Sequence, residues 1–255
     1  MWESNVWTVY LDGTSVISAD PGSLDFDDTS VNLLFGSMNW AHDDFTGYMD
    51  EIRVSKGIAR YTENFTPSTT AFTSDQYTKL LLHCDGADDG TTFTDSADSA
   101  PRHTITAVGD VKNTRISNYD TESANQTHAI GPKVGSSAMA FANGEYLDSA
   151  SSTDWDFGSG AFTVEGWYNF TEKDSGGITM MGNRQSSSPY NGWMMQWEDS
   201  DDMYFYFHNG SNINVSWAWS PEYKKWMHIA FARSGNLIDF WVDGVSQGSQ
   251  AITGT

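Results

Sequence analysis

Cysteine is nearly absent from this 255-residue sequence. Cys84 stands alone, which excludes an internal disulfide and a cysteine-rich zinc site. It reads as a small buried hydrophobe. His83 beside it would point to the opposite face of a strand and is no activating base. Basic residues are also scarce: 13 Lys+Arg stand against 34 Asp+Glu, for a formal net charge of -21 and a pI near 4.3. Such a field repels phosphate, which excludes nucleic acid as a partner and anionic membranes as a docking surface. No apolar run approaches the roughly 20 residues that span a bilayer, so membrane insertion is not expected. The longest runs, such as residues 203–207, are strand-sized. The opening Met1-Trp2-Glu3-Ser4 has neither basic residues nor an apolar stretch and does not read as a secretory signal. That leaves a cytosolic chain, export by another route, a place in a virion, or a piece cut from a longer polypeptide.

Helical periodicity is missing too, and strand signals take its place. Aromatics make up 14% of the chain, which separates it from acidic disordered proteins that have little to bury. Residues 162–170 alternate, with Phe162, Val164, Tyr168 and Phe170 on one face and Thr163, Glu165, Trp167 and Asn169 on the other. Residues 203–208 alternate likewise. Met203, Phe205 and Phe207 should enter a core, leaving Tyr204, Tyr206 and His208 outside. Trp193, Met195 and Trp197 should feed the same core. Residues 226–233 and 236–244 read as two further strands, the second closing on the turn pair Asp243-Gly244. Many short strands with tight turns predict an all-β fold of two packed antiparallel sheets. Val9-Tyr10-Leu11-Asp12-Gly13 echoes Phe240-Trp241-Val242-Asp243-Gly244, a short internal repeat. The small, polar, proline-containing stretch between them, residues 66–75, has the composition of a linker.

Four stretches carry a family resemblance. Lys79 to Gly86 with Thr92 to Ser96 looks like an opening strand and turn. Ser136 to Phe141 with Gly144 to Leu147 looks like a second strand pair. Phe162 to Trp167 and Trp226 to Asp243 look like central strands, and Gly47 to Val54 like a closing strand. Together they resemble the laminin-G-like, concanavalin A-like jelly-roll superfamily, of the tandem type found in phage and marine bacterial surface proteins. The order departs from the family, because the closing-strand motif precedes the opening one. Residues 1–70 then read as the C-terminal part of one module, 71–78 as a linker, and 79–255 as a module lacking its own closing strands. A fragment of a tandem array, a permuted chain whose early segment completes the later sandwich, and copies exchanging strands head to tail all fit that order. A sandwich without its last strands exposes apolar core and unpaired backbone groups, so something must cover them.

The resemblance implies a jelly-roll sandwich and lectin-like recognition of a polysaccharide or cell-surface glycan. It also implies an extracellular or virion-surface setting, with neighbouring modules or further copies of the chain as partners. Sugar rings pair an apolar face with a rim of hydroxyls, so aromatics flanked by acids and amides suit them. Glu165, Trp167, Asn169, Tyr204, Tyr206 and His208 are the candidate carbohydrate-binding residues, with the loop aromatics Trp40, Tyr190, Trp217 and Trp219 behind them. Related jelly rolls hold calcium at the sandwich edge. Asp50 of the closing strand, Asp85 and the Gly86 carbonyl are the corresponding ligands here, and the plainer reading of Asp50 is a structural acid. The Glu-x-Asp-x-x-Glu strand of jelly-roll glucanases is absent, as are G-x-S-x-G and His-Glu-x-x-His motifs. A non-catalytic module is therefore expected. A ligand-free assembly module that exchanges strands and a glycoside hydrolase with an atypical site are the alternatives.

Overall fold

The computed structural model describes residues 7–11, 14–19, 31–38, 44–99, 101–115, 131–171, 176–184, 191–198, 200–208 and 212–252. The first four strands are β1 (Trp7–Leu11), β2 (Thr14–Ala19), β3 (Leu33–Phe35) and β4 (Gly47–Lys56). Five more follow: β5 (Thr78–Leu82), β6 (Ile105–Val108), β7 (Lys112–Thr114), β8 (Ala138–Phe141) and β9 (Tyr146–Ser149). The remainder are β10 (Phe162–Phe170), β11 (Ile178–Gly182), β12 (Gly192–Glu198), β13 (Asp202–His208), β14 (Asn212–Ala218), β15 (Trp226–Ser234), β16 (Leu237–Val242) and β17 (Val245–Ala251). One 3-10 turn, Thr153–Trp155, is the only helical element among the described residues. No helix among them is long and apolar enough to cross a membrane.

Two antiparallel sheets stack face to face, as the alternation predicts. The eight-stranded sheet runs β17-β16-β15-β10-β4-β8-β7, with β5 also paired to β4. The seven-stranded sheet runs β14-β13-β12-β11-β3-β9-β6. Phe162, Val164, Tyr168 and Phe170 of the first sheet meet Trp193, Met195, Trp197, Met203, Phe205 and Phe207 of the second in one core. The rings interlock: Phe162 stacks on Phe205 at 5.5 Å, Trp193 on Phe205 at 5.8 Å and Phe231 on Phe240 at 4.9 Å. Cys84 is a free, buried thiol at the edge of this core.

Strands β3 and β4 lie inside the sheets. β3 sits between β11 and β9, and β4 between β10 and the pair β8 and β5. β4 also departs from simple alternation. Arg53 faces Glu165 and Asp50 faces Trp167, so two residues of β4 oppose Gly166. Glu51 takes a positive φ of 50° inside this bulge. Gly166 lets the bulge close up, because a Cβ there would lie 2.2 Å from the tip of the Ile52 side chain and force it to move.

Residues 57–77, which join β4 to β5, form a strap across the outer face of the eight-stranded sheet. The Arg60 amide donates to Thr163 Oγ1 (2.8 Å), the Phe65 amide to the Gly244 carbonyl (2.8 Å) and the Phe72 amide to Glu51 Oε2 (2.6 Å). Phe72, Leu81 and Ala97 form a small second core. β1 and β2 pair with each other as a hairpin, as β16 and β17 do, which gives the sequence echo a structural counterpart.

Candidate functional site

The six candidate carbohydrate-binding residues separate onto opposite sides of the molecule. Glu165, Trp167 and Asn169 belong to β10 in the eight-stranded sheet; Tyr204, Tyr206 and His208 belong to β13 in the seven-stranded sheet. Glu165, Trp167 and Asn169 on one sheet and Tyr204 and Tyr206 on the other face away from the core, as alternation predicts, and therefore away from each other. They cannot line one groove.

The β10 set is also covered. Glu165 and Asn169 are 0% exposed and Trp167 is 5% exposed. The strap places Tyr61, stacked on Phe65 at 3.5 Å, over this face. Tyr61, Phe65, Phe72 and Trp167 surround His228 edge-on at centroid distances of 5.3 to 6.2 Å. Lys133 caps Trp167 with its ammonium 4.0 Å from the ring centroid. Glu165 is the electrostatic centre. Arg53 grips its Oε1 through Nε (2.8 Å) and Nη2 (2.6 Å), and the Tyr61 hydroxyl donates to Oε2 (2.5 Å). His228 Nε2 lies 3.3 Å from Oε2 but is not aligned as a hydrogen bond. Burial alone would raise the Glu165 pKa. The neighbouring His228, the Arg53 charge and the Tyr61 hydroxyl outweigh it and hold the group at about 2. Glu165 is a buried anchor and not a glycan contact. His228 is wholly buried, and neither of its ring nitrogens makes a hydrogen bond. Sequence reasoning missed the cover because Arg53 and Tyr61 lie 112 and 104 residues from Glu165, with no periodic signal linking them.

The β13 face is partly exposed among the described residues. Tyr204 and Tyr206 are half-buried and stack on each other at 5.1 Å with rings 13° apart. Register aligns Gln196, Tyr204 and Ser216 across β12, β13 and β14, and Met194, Tyr206 and Asn214 in the next row. The Tyr206 hydroxyl donates to Glu198 Oε1 (2.9 Å), and the Arg184 guanidinium lies 5.5 Å from its ring centroid. Burial first, then the Glu198 carboxylate, push the Tyr206 phenol well above its usual pKa, so it stays a neutral donor. Met194 and Gln196 are buried on the β12 side, so this face offers two aromatic rings beside a carboxylate, the Asn214 amide, a hydroxyl and a guanidinium. Gln196, Glu198, Asn214 and Ser216 were not among the binding residues read from sequence, because their grouping requires the register of three strands. His208 ends β13 opposite Gly192 and Asn212, and its side chain lies outside the described residues. Trp217 turns into the core and Trp219 packs partly against it, so neither is a free loop aromatic. Trp40 and Tyr190 lie outside the described residues.

Asp50 and Asp85 come to the same place from the two ends of the strap. Both grip residues 133–137. Asp50 Oδ2 accepts the amides of Lys133 and Val134 (2.9 Å each), and Asp85 Oδ1 accepts the amides of Ser136 and Ser137. The Gly86 carbonyl accepts Ser137 Oγ (3.0 Å). Burial above all, with the charges of Glu51 and Asp85 adding and the amide bonds opposing, pushes Asp50 up to about 8. Its Oδ1 is buried without a partner. Asp50 is therefore a structural acid with one oxygen left over. Among the described residues no cluster of three or more His, Cys, Asp or Glu side chains is arranged for a metal. A hard cation here would have two carboxylates and would need carbonyls or water for the rest, a donor set that calcium accepts.

Residues 141–255 match a laminin G family model described as the concanavalin A-like lectin/glucanases superfamily. No curated protein and no solved structure matches the chain.

Proposed function

We propose that the chain is a non-catalytic carbohydrate-recognition module, because residues 141–255 match the concanavalin A-like lectin/glucanases superfamily model and share one sandwich with strands from residues 33–149. One observation carries this reading. Of the two outer sheet faces, one is strapped over, and the other presents Tyr204 and Tyr206 beside Glu198, Asn214 and Ser216. Tyrosine rings take the apolar face of a sugar and the polar side chains take its hydroxyls, without a charge requirement that the acidic chain would oppose. The acidic balance suits a saline extracellular or virion-surface setting, where salt screens self-repulsion. A place in a phage or bacterial surface protein follows from the same resemblance. Glu165 argues against hydrolysis at β10, since a carboxylate locked by Arg53 reaches no substrate.

The test is a glycan array and a panel of soluble polysaccharides, with wild type compared with Tyr204→Ala/Tyr206→Ala. Each ring contributes about 1 kcal/mol of stacking, so the double variant should bind at least about tenfold more weakly. Wild type that binds no glycan in the presence of calcium, or a double variant that binds as well, sinks the proposal.

Calcium is proposed as a stabiliser at Asp50, Asp85 and the Gly86 carbonyl, on the strength of the orphaned Asp50 Oδ1. It would supply the missing partner of that oxygen and tie β4 to the turn after β5. Millimolar calcium should raise Tm in wild type and leave Asp50→Asn unmoved; an equal rise in both would locate the ion elsewhere. The ligand-free assembly reading keeps one supporting fact, the central position of β3 and β4, which another copy could equally supply.

A further inference from the structure

A cavity of about 240 Å³ lies where the chain leaves β5, away from the β12–β14 face. Residues 82–86 and 92–96 start as neighbours: Leu82 bridges Asp95, and the Ser96 amide donates to the Leu81 carbonyl (2.7 Å). Beyond that point the two segments diverge. Asn113, 1% exposed, holds them at a fixed separation. Its Nδ2 donates to the Gly90 and Thr92 carbonyls (3.0 and 3.1 Å), and its Oδ1 accepts the Gly86 amide (3.3 Å). Gly86 cannot be larger, because a Cβ would lie 2.3 Å from Asn113 Nδ2. The cavity is therefore held open by a fully bonded buried amide.

Its lining is amphipathic. Phe93, with Leu82 and Cys84, gives a buried apolar floor. Asp85, Thr92 and Thr94 stand exposed at the rim. His83 joins them, with Nδ1 fixed 2.8 Å from Glu51 Oε1. That contact leaves Nε2 as the ring's other polar atom. The rim thus has a carboxylate, an imidazole nitrogen and two hydroxyls over an aromatic floor. Drug-sized ligands fill cavities of about 300–1,000 Å³, so this one suits a smaller guest. The nearby Asp88 and Asp89 and the net charge of -21 disfavour an anion.

We infer that this cavity is a second binding site, one that takes a single neutral sugar ring such as the terminal residue of a glycan, with the ring on Phe93 and its hydroxyls on Asp85, Thr92, Thr94 and His83. The choice of sugar as the ligand class rests on the recognition role proposed above, but no residue is shared with the tyrosine face.

The experiment uses the full chain and saturation-transfer NMR with a panel of neutral methyl pyranosides. Thr94→Trp and, separately, Thr92→Trp fill the mouth from exposed positions. Tryptophan suits the extended backbone that bridges Thr94 to Thr104, and far-UV circular dichroism checks that the sheets persist. Wild type should show transfer to at least one pyranoside, both filled variants should weaken it at least tenfold, and Tyr204→Ala/Tyr206→Ala should leave it unchanged. No transfer to any pyranoside in wild type, or full transfer in folded Thr94→Trp and Thr92→Trp, overturns the inference. Polysaccharide binding lost with pyranoside binding kept would instead remove the tyrosine face and leave the cavity standing.

Discussion

At the scale of single residues, Glu165 decides how the eight-stranded sheet is used. A lone carboxylate at the centre of a strand invites a functional reading, yet it is wholly buried between Arg53 and Tyr61. Removing one member of such a pair leaves an uncompensated charge. Arg53→Met should therefore cost about 3–5 kcal/mol in urea denaturation at pH 7. The pH dependence has a definite sign. With a folded pKa of about 2, below the usual glutamate value of about 4.3, the unfolded chain binds the extra proton. The stabilisation is complete above the unfolded value and is lost as pH falls from there towards 2. Without the arginine, burial dominates and the carboxyl protonates earlier. The acid-unfolding midpoint of Arg53→Met should lie at higher pH than that of wild type; an unchanged midpoint would show that Arg53 does not hold the charge. This part of the structure was legible only in half. Alternation correctly turned Glu165, Trp167 and Asn169 away from the core, but not being in the core was mistaken for being in solvent.

Among the elements, the strap over residues 57–77 is what converts a sheet face into a second interior. Its seat is the β16–β17 turn. Asp243 and Gly244 have φ of 49° and 77°, a pair of left-handed residues that suits a tight hairpin. The Gly244 carbonyl accepts the Phe65 amide, and a Cβ on Gly244 would fall 1.7 Å from the Phe65 carbonyl oxygen. Gly244→Ala must therefore displace the strap as well as strain the turn. Gly235, with φ of 60° and nothing within 4 Å of a built Cβ, provides the control. Gly235→Ala should cost only the backbone strain of about 1 kcal/mol, and Gly244→Ala clearly more. Hydrogen exchange should quicken across residues 60–72 in Gly244→Ala alone; equal protection in both variants would mean that Phe65 does not depend on this seat. The strands themselves were readable because each carries its own alternation and turn chemistry. The strap was not, because its Thr, Pro and Ser content matches that of a linker, and its anchors, such as Arg60 on Thr163, are distant in sequence. The bulge at Glu51 escaped for a similar reason, since Ile52 meets Gly166 only in the pairing of two strands.

For the whole molecule, the order of parts along the chain matters more than their shapes. β3 and β4 precede every other strand of the sandwich, yet they lie inside its two sheets. Leu33, Phe35, Met49, Ile52 and Val54 on these strands are all 0% exposed. At about 1.5–3 kcal/mol for each buried side chain, these five match the whole net stability of a domain, about 5–15 kcal/mol. Residues 79–255 alone should therefore fail to fold cooperatively, exposing apolar surface that binds a hydrophobic dye and a strand vacancy between β10 and β8. A separate polypeptide of residues 30–78 should restore a sharp thermal transition in a one-to-one complex. A cooperative, dye-negative 79–255 fragment would show that the early strands are dispensable. The same topology predicts how the intact chain behaves. β4 and β5 pair directly and are joined by only the 21 residues of the strap, so the closing strands are held at high effective concentration near their own sandwich. Folded at micromolar concentration, the chain should be a monomer by native mass spectrometry. Strand exchange should require unfolding and refolding at high concentration, where another copy competes for the vacancy. Dimers that form from the folded monomer on simple concentration, without passing through unfolding, would instead place the exchange in the native state and favour the assembly reading over recognition.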